Sequence, residues 1–168
     1  ENPDEKPDFD MKLHALLPVL KKEIPLKAHA HRADDIFTAL RIAKEFDVDI
    51  TLDHCTEGHL IVDELKAAGK PCLIGPTFGS RTKVELKNKS FETPKALIEA
   101  GIKTAIITDS NVIPIQHIAM CAGMAVKAGL SEEEAWKTIT IYPAEITGID
   151  DKVGSLKVGK DADIAIFK

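Results

Sequence analysis

The 168-residue sequence predicts an α/β fold of parallel strand–helix units, and three observations carry that expectation. Its candidate strands are short, and runs such as PCLI and TAII are apolar on both faces. Segments of helical period separate these runs, and Gly or Pro punctuates the junctions. Short two-sided strands alternating with helices are the pattern of a parallel sheet covered by helices.

Taken in order, residues 1–8 (ENPDEKPD) are polar, contain proline and begin without methionine, which reads as a disordered lead-in or a cut inside a longer chain. Leu13, Leu16, Leu17 and Leu20 give residues 9–22 a helical face, with Pro18 inside the pattern to kink or shorten it. Residues 25–29 read as strand, and 33–46 as a helix with Ile36, Ala39, Leu40 and Ala43 on one face. The second unit is strand 49–52 and helix 58–68, stopped by Gly69. Strand 71–74 leads into a long Gly/Pro/Lys-rich loop, 75–91. Thr93 is expected to cap the next helix, with Pro94 at its first position and Gly101 past its end. Strand 104–107, an apolar helix over 115–127 and a Ser131–Glu134 capping box for 132–139 follow. After Gly148 the text changes: 155–158 and 163–167 read as a hairpin of a separate β-element. The expected division is therefore a lead-in and helix at 1–23, strand–helix units at 24–147 and the β-tail at 148–168. Four such units suit half of an eight-stranded βα barrel or part of an open sheet, and periodicity does not choose.

Composition narrows the function. With 44% hydrophobic and 29% charged residues the chain is of ordinary globular type. A net charge of −5 with interspersed signs and few aromatics argues against a nucleic-acid surface. No apolar run approaches membrane-spanning length and no signal peptide is visible, so a cytoplasmic location away from membranes is expected. Cys55, Cys72 and Cys121 are widely spaced and odd in number, which favours reduced thiols over a disulfide framework. A Cys55–His54 nucleophile is the weaker alternative.

The chemistry gathers at the ends of the expected strands. In IPLKAHAHRADD (24–35) an extended backbone turns Lys27, His29 and His31 to one side and Leu26 and Ala28 to the other. The second unit ends at Asp53-His54-Cys55, the third at Gly75-Pro76-Thr77 and the fourth at Thr108-Asp109-Ser110. His29, His54 and Asp109 thus leave equivalent ends of three strands, the edge that carries the active site in barrels. Imidazoles bind Zn²⁺ or similar ions, and a carboxylate beside them can accept a proton from attacking water. The bland reading is a set of ordinary polar strand ends.

From residue 24 to 168 the chain resembles the amidohydrolase superfamily of metal-dependent hydrolases, especially its imidazolonepropionase-like branch. PLKAHAHRADD is similar to that family's fifth-strand segment, ITLDHCTEGHL to the sixth and TAIITDSNV to the eighth. The closing TITIYPAEITGIDDKVGSLKVGKDADIAIFK is the most specific match, where the family leaves its barrel for a small β-domain. The resemblance implies the second half of a TIM-like (β/α)8 barrel with a β-hairpin tail, hydrolysing C–N bonds of a small-molecule amide, cyclic amide or amidine. It implies metal ligation by His29, His54 and Asp109, with Asp109 also the catalytic proton acceptor and zinc the first choice of divalent metal. Arg32 stands where relatives hold a substrate-contacting acid, and would favour an anionic group; pairing with Asp34 or Asp35 is the alternative. His31 is read as a pocket residue or a partner of the ligands, and His59 as structural. Arg81 is the member of the long loop expected to touch substrate, and His117 the outlying candidate.

The family's first-strand His-x-His and fourth-strand lysine have no counterpart here. The expectation is therefore a carboxyl-terminal half, catalytically inactive alone and weakly loaded with metal. Exposed sheet edges should drive self-association, or pairing with a missing amino-terminal half. Two rivals remain: a non-catalytic α/β binding or assembly module keeping a relic site, and a doubly wound phosphate-binding fold. The second is disfavoured because no Gly-rich loop joins a strand to a helix.

Overall fold

A computed structural model describes residues 8–166; most of the expected lead-in, at 1–7, lies outside the described residues, as do Phe167 and Lys168. Four strands, β1 (Leu26–Ala30), β2 (Ile50–His54), β3 (Cys72–Ile74) and β4 (Thr104–Ile106), form one parallel sheet in chain order. Each is reached from its predecessor through helical segments, as parallel neighbours require. The register sets His29 beside Asp53, Ala30 beside His54 and His54 beside Ile74.

Strand alternation divides the sheet into two unlike faces. Ala30, Ile50, Leu52, Cys72 and Ile74 lie buried under α3 (Ala33–Glu45), α4 (Val62–Ala68) and α5 (Thr93–Glu99), whose Ile36, Leu65 and Leu97 are fully buried against them. Ile106 belongs to a second cluster with Cys121, Ala122 and Ala125 of α6 (Ile118–Lys127) and Ala135 of α7 (Glu132–Thr138). The opposite face carries Lys27, His29, Thr51 and Asp53. Lys27 Nζ reaches Asp53 Oδ1 at 3.2 Å and Thr51 Oγ1 at 3.4 Å, a polar row running toward the strand ends.

Several expected elements take a different form for local reasons. Residues 9–22 split into α1 (Met11–His14), capped by the Asp10 carboxylate, and α2 (Leu17–Leu20), with Pro18 in its first turn. Proline lacks the N–H and clashes with the preceding turn, so it starts a helix more readily than it continues one. The helix expected over 58–68 begins as a separate 3-10 turn, Gly58–Leu60. Gly69, at φ +62°, closes it as expected. Thr93 is not the cap of α5: it is the first helical residue, and its hydroxyl bonds His59 Nδ1 at 2.8 Å. The Ser131–Glu134 box forms by half. Ser131 Oγ accepts from the Glu134 N–H, but the Glu134 carboxylate turns to Lys137 and Tyr142.

The tail corrects the hairpin expectation. After α8 (Ile141–Thr147) no strand forms among the described residues through 166. Single bonds hold it instead, from the Asp161 N–H to the Lys152 carbonyl and from Lys160 Nζ to the Val153 carbonyl. An isolated two-stranded ribbon is marginal in water, and these residues have no neighbouring strand to pair with among the described residues.

Candidate metal centre

Three imidazoles converge at the carboxyl edge of the sheet. His29 leaves β1 on the polar face, and His31 follows one residue beyond the strand. By alternation His54 would point with Leu52 into the helix-covered core. Its backbone instead turns left-handed, φ +76°, and Cys55 follows at φ +42°. Such backbone is costly for residues with a Cβ and persists where surroundings hold it. The turn brings the His54 ring to 4.3 Å from His29 and 4.6 Å from His31, centroid to centroid. One nitrogen from each of the three rings lies within 4.8 Å of the others.

Each buried ring is oriented by a neighbour. His54, 6% exposed, has Nδ1 2.6 Å from the Gly75 carbonyl oxygen. A carbonyl only accepts, so Nδ1 carries the proton and Nε2 keeps a free lone pair. His31, also 6% exposed, sets Nδ1 2.7 Å from the Thr56 hydroxyl. Burial, reinforced by the neighbouring His54, pushes its pKa down to about 4, so it is neutral at physiological pH. Clustered imidazoles whose second nitrogen is hydrogen-bonded, as in His31 and His54, are a donor set that zinc and related divalent ions take. The residues present therefore fit a metal ion.

The other expected site residues fall into distinct places. Asp109 emerges after β4 on an exposed left-handed turn, φ +49°, and does not join the histidine group. Arg32 takes the alternative expected of it: Nε and Nη2 grip the two Asp34 oxygens at 2.9 and 3.0 Å. Arg81 donates from Nη2 to the Lys89 carbonyl at 2.7 Å, within the long loop. His117 is exposed on the 3-10 turn Ile115–His117. Cys55 lacks the environment of a nucleophile: its thiol is buried 3.8 Å from Cys72 Sγ, and that bond together with burial raises its pKa. Sequence reasoning placed His31 as a pocket residue or partner of the ligands and not as a third member of the cluster, and it missed the bonds of Thr56 and Gly75 behind the rings. The His-x-His spacing was the available signal for His31, and nothing marked Thr56.

Comparison with known proteins follows the same outline. The profile described as "Amidohydrolase family" matches residues 14–168. An imidazolonepropionase of Maricaulis maris is 32% identical over 86% of this chain, and the matched region is 35% of that protein. Amidohydrolase tasK of Hapsidospora irregularis is 25% identical over 98% of this chain and 17% of its own length. Among solved structures, an amidohydrolase from Thermotoga maritima superposes with a TM-score of 0.90 at 40% identity, covering 96% of this chain and 42% of its own. The chain thus spans well under half the length of these similar proteins.

Proposed function

Because the chain belongs to the amidohydrolase family, we propose that it supplies the metal-binding and proton-transferring edge of a hydrolase that cleaves C–N bonds in small amides, cyclic amides or amidines. The observation that carries this reading is the convergence of His29, His31 and His54 at one sheet edge, with the His54 tautomer set by Gly75.

In this reading the three histidines hold one divalent ion, zinc being the first choice for a nitrogen-rich donor set. Weak loading was expected because the family's first-strand and fourth-strand ligands have no counterpart here; His31, as a third imidazole in the cluster, raises that expectation to one ion for this chain. When bound, the ion supplies Lewis acidity toward water and the scissile carbonyl. Asp109 accepts the proton of the attacking water and delivers it to the leaving nitrogen as the C–N bond breaks. Its position beyond β4, at the same end of the sheet as His29 and His54, supports that role. Arg32 is withdrawn as a substrate anchor, since Asp34 occupies its guanidinium. The four units correspond to the second half of a barrel, whose remaining strands would flank β1 and β4. Productive turnover is proposed for that assembly rather than for these residues alone.

Calorimetric titration of the 168-residue chain with zinc tests the reading. One equivalent should bind, and His29→Ala or His54→Ala should abolish it. Failure to bind zinc, or binding indifferent to both substitutions, would overturn the assignment.

A further inference from the structure

The long loop after β3 carries a single acidic side chain, Glu85, on the short 3-10 turn Val84–Leu86. The backbone around that turn is pinned on both sides. Arg81 donates to the Lys89 carbonyl at 2.7 Å and Lys89 Nζ to the Gly79 carbonyl at 2.9 Å, so the loop closes on itself. Asn88 then ties it to the end of the second unit's strand, donating from Nδ2 to Glu57 Oε1 at 2.8 Å. The other Glu57 oxygen accepts the Ala33 N–H at the start of α3, also at 2.8 Å.

Held in this way, Glu85 faces the histidines. Its Oε1 lies 3.8 Å from Nε2 of His31. That is the nitrogen His31 has left for an ion, since the Thr56 hydroxyl takes Nδ1 at 2.7 Å. Two atoms bound to one zinc at ordinary lengths and a tetrahedral angle stand about 3.4 Å apart. The carboxylate therefore stands close to ligand spacing from His31, and at 32% exposure its side chain is not packed in place. A plain surface ion pair is the bland account, because the same oxygen lies 3.4 Å from Lys83 Nζ. Lys83 is 65% exposed, and so open a pair is worth little. Nor does such a pair require Glu85 to turn toward a buried imidazole.

We propose that Glu85 is a fourth ligand of the metal centre, carried by the loop, and that with the loop in place the centre is shut. Four protein ligands make a closed zinc site, whereas a catalytic site keeps one position for water. Opening then means that the turn at 84–86 moves outward and Glu85 leaves the ion, with Lys83 beside it to take the released carboxylate. The loop is thus lid and inhibitor together, and it sets the access of water or a small anion to the ion. This rests on the metal-centre reading above but not on any substrate or reaction.

The test replaces zinc with cobalt(II) in the 168-residue chain, because cobalt absorbs visible light strongly when four-coordinate and weakly when five- or six-coordinate. The native chain should give the strong spectrum, and added azide should leave it unchanged. Glu85→Gln and Glu85→Ala should each weaken cobalt binding, and azide should then enter and alter the spectrum. The loss should be roughly tenfold or more, since removing even a partner behind a ligand costs that much. Glu85 sits on a partly exposed turn, so both variants should keep the urea midpoint of the metal-free chain. Azide entering the native chain, or variants matching it in affinity and spectrum, would overturn the proposal. So would tighter binding by the variants, which would show that Glu85 only obstructs His31. The two readings fail separately. Cobalt bound by the native chain, lost in His54→Ala and indifferent to Glu85 sinks the lid alone, whereas no cobalt binding at all sinks the metal centre and the lid with it.

Discussion

The Nδ1 atom of His54 lies 2.6 Å from the carbonyl oxygen of Gly75, so the end of β3 sets the tautomer of an imidazole at the end of β2. Gly75 is suited to that task because nothing larger fits. At its φ of +145° an added Cβ would meet the Ile107 carbonyl oxygen at 2.0 Å.

Gly75→Ala should accordingly act twice. Backbone strain and overpacking should cost about 2–5 kcal/mol of stability. Displacing the carbonyl should also free His54 to change tautomer and weaken zinc binding. Urea unfolding and zinc calorimetry on the same preparation check both, and an unchanged midpoint would contradict the steric argument.

The neighbour behind His31 offers a milder probe. Thr56→Val keeps the shape but removes the hydroxyl that bonds Nδ1 at 2.7 Å. Partners of this kind are worth roughly 10–100-fold in metal affinity, and that loss is the expected result. His31→Ala should cost more. If His31→Ala left zinc binding intact, His31 would return to the role of pocket residue or partner that the sequence suggested.

Much of this molecule was legible in the sequence, and the exceptions share a cause. The four strands follow from short apolar runs, and Gly69 marks a helix end because it adopts the left-handed conformation. His29 and His54 could be placed at strand ends from spacing alone. His31 could not be assigned, because its inclusion depends on β1 stopping at Ala30 and on His54 leaving the period-two pattern. Backbone conformation at a single residue has no sequence period. Thr93 was misread for a similar reason: its hydroxyl serves His59, 34 residues earlier, rather than its own helix. The tail hairpin was read from local pattern, whereas strand pairing depends on neighbours that the pattern does not contain.

The lowered pKa of His31 makes stability pH-dependent, with a definite sign. Its folded value, about 4, lies below the ordinary 6.5, so the unfolded chain binds more protons in between. Stability from this group is therefore complete above about pH 6.5 and is lost as pH falls toward 4, on the order of 3 kcal/mol in all. Burial lowers His59 as well and adds to the same trend. Urea midpoints of the metal-free chain should fall between pH 7 and pH 4.5, and His31→Gln should flatten the curve. A midpoint that rises on acidification would refute the argument.

The thiols should be inert in the folded chain. Cys55, Cys72 and Cys121 are all buried and free, and burial raises the Cys121 pKa as it does that of Cys55. The thiolate is the reactive form, so both effects slow alkylation. Reaction with an aromatic disulfide reagent at neutral pH should be slow until denaturant is added, then release three equivalents. Rapid labelling of one thiol under native conditions would reopen the nucleophile reading for Cys55.

Association in solution is the remaining expectation, and the surface gives it a physical basis. The outer edges of β1 and β4 have no strand partner among the described residues, so their backbone groups can pair with another chain. Met11 and Leu13 of α1 and Leu20 of α2 are more than half exposed, and Leu16 between the two helices is nearly so. Apolar groups clustered in this way seek cover, each burial being worth about 1.5–3 kcal/mol. Light scattering behind gel filtration should show a mass that grows with concentration. Leu13→Lys with Leu16→Lys should shift it toward the monomer, since charge on the apolar helices opposes their burial. A compact monomer at every concentration would show that neither the strand edges nor these helices recruit a partner copy.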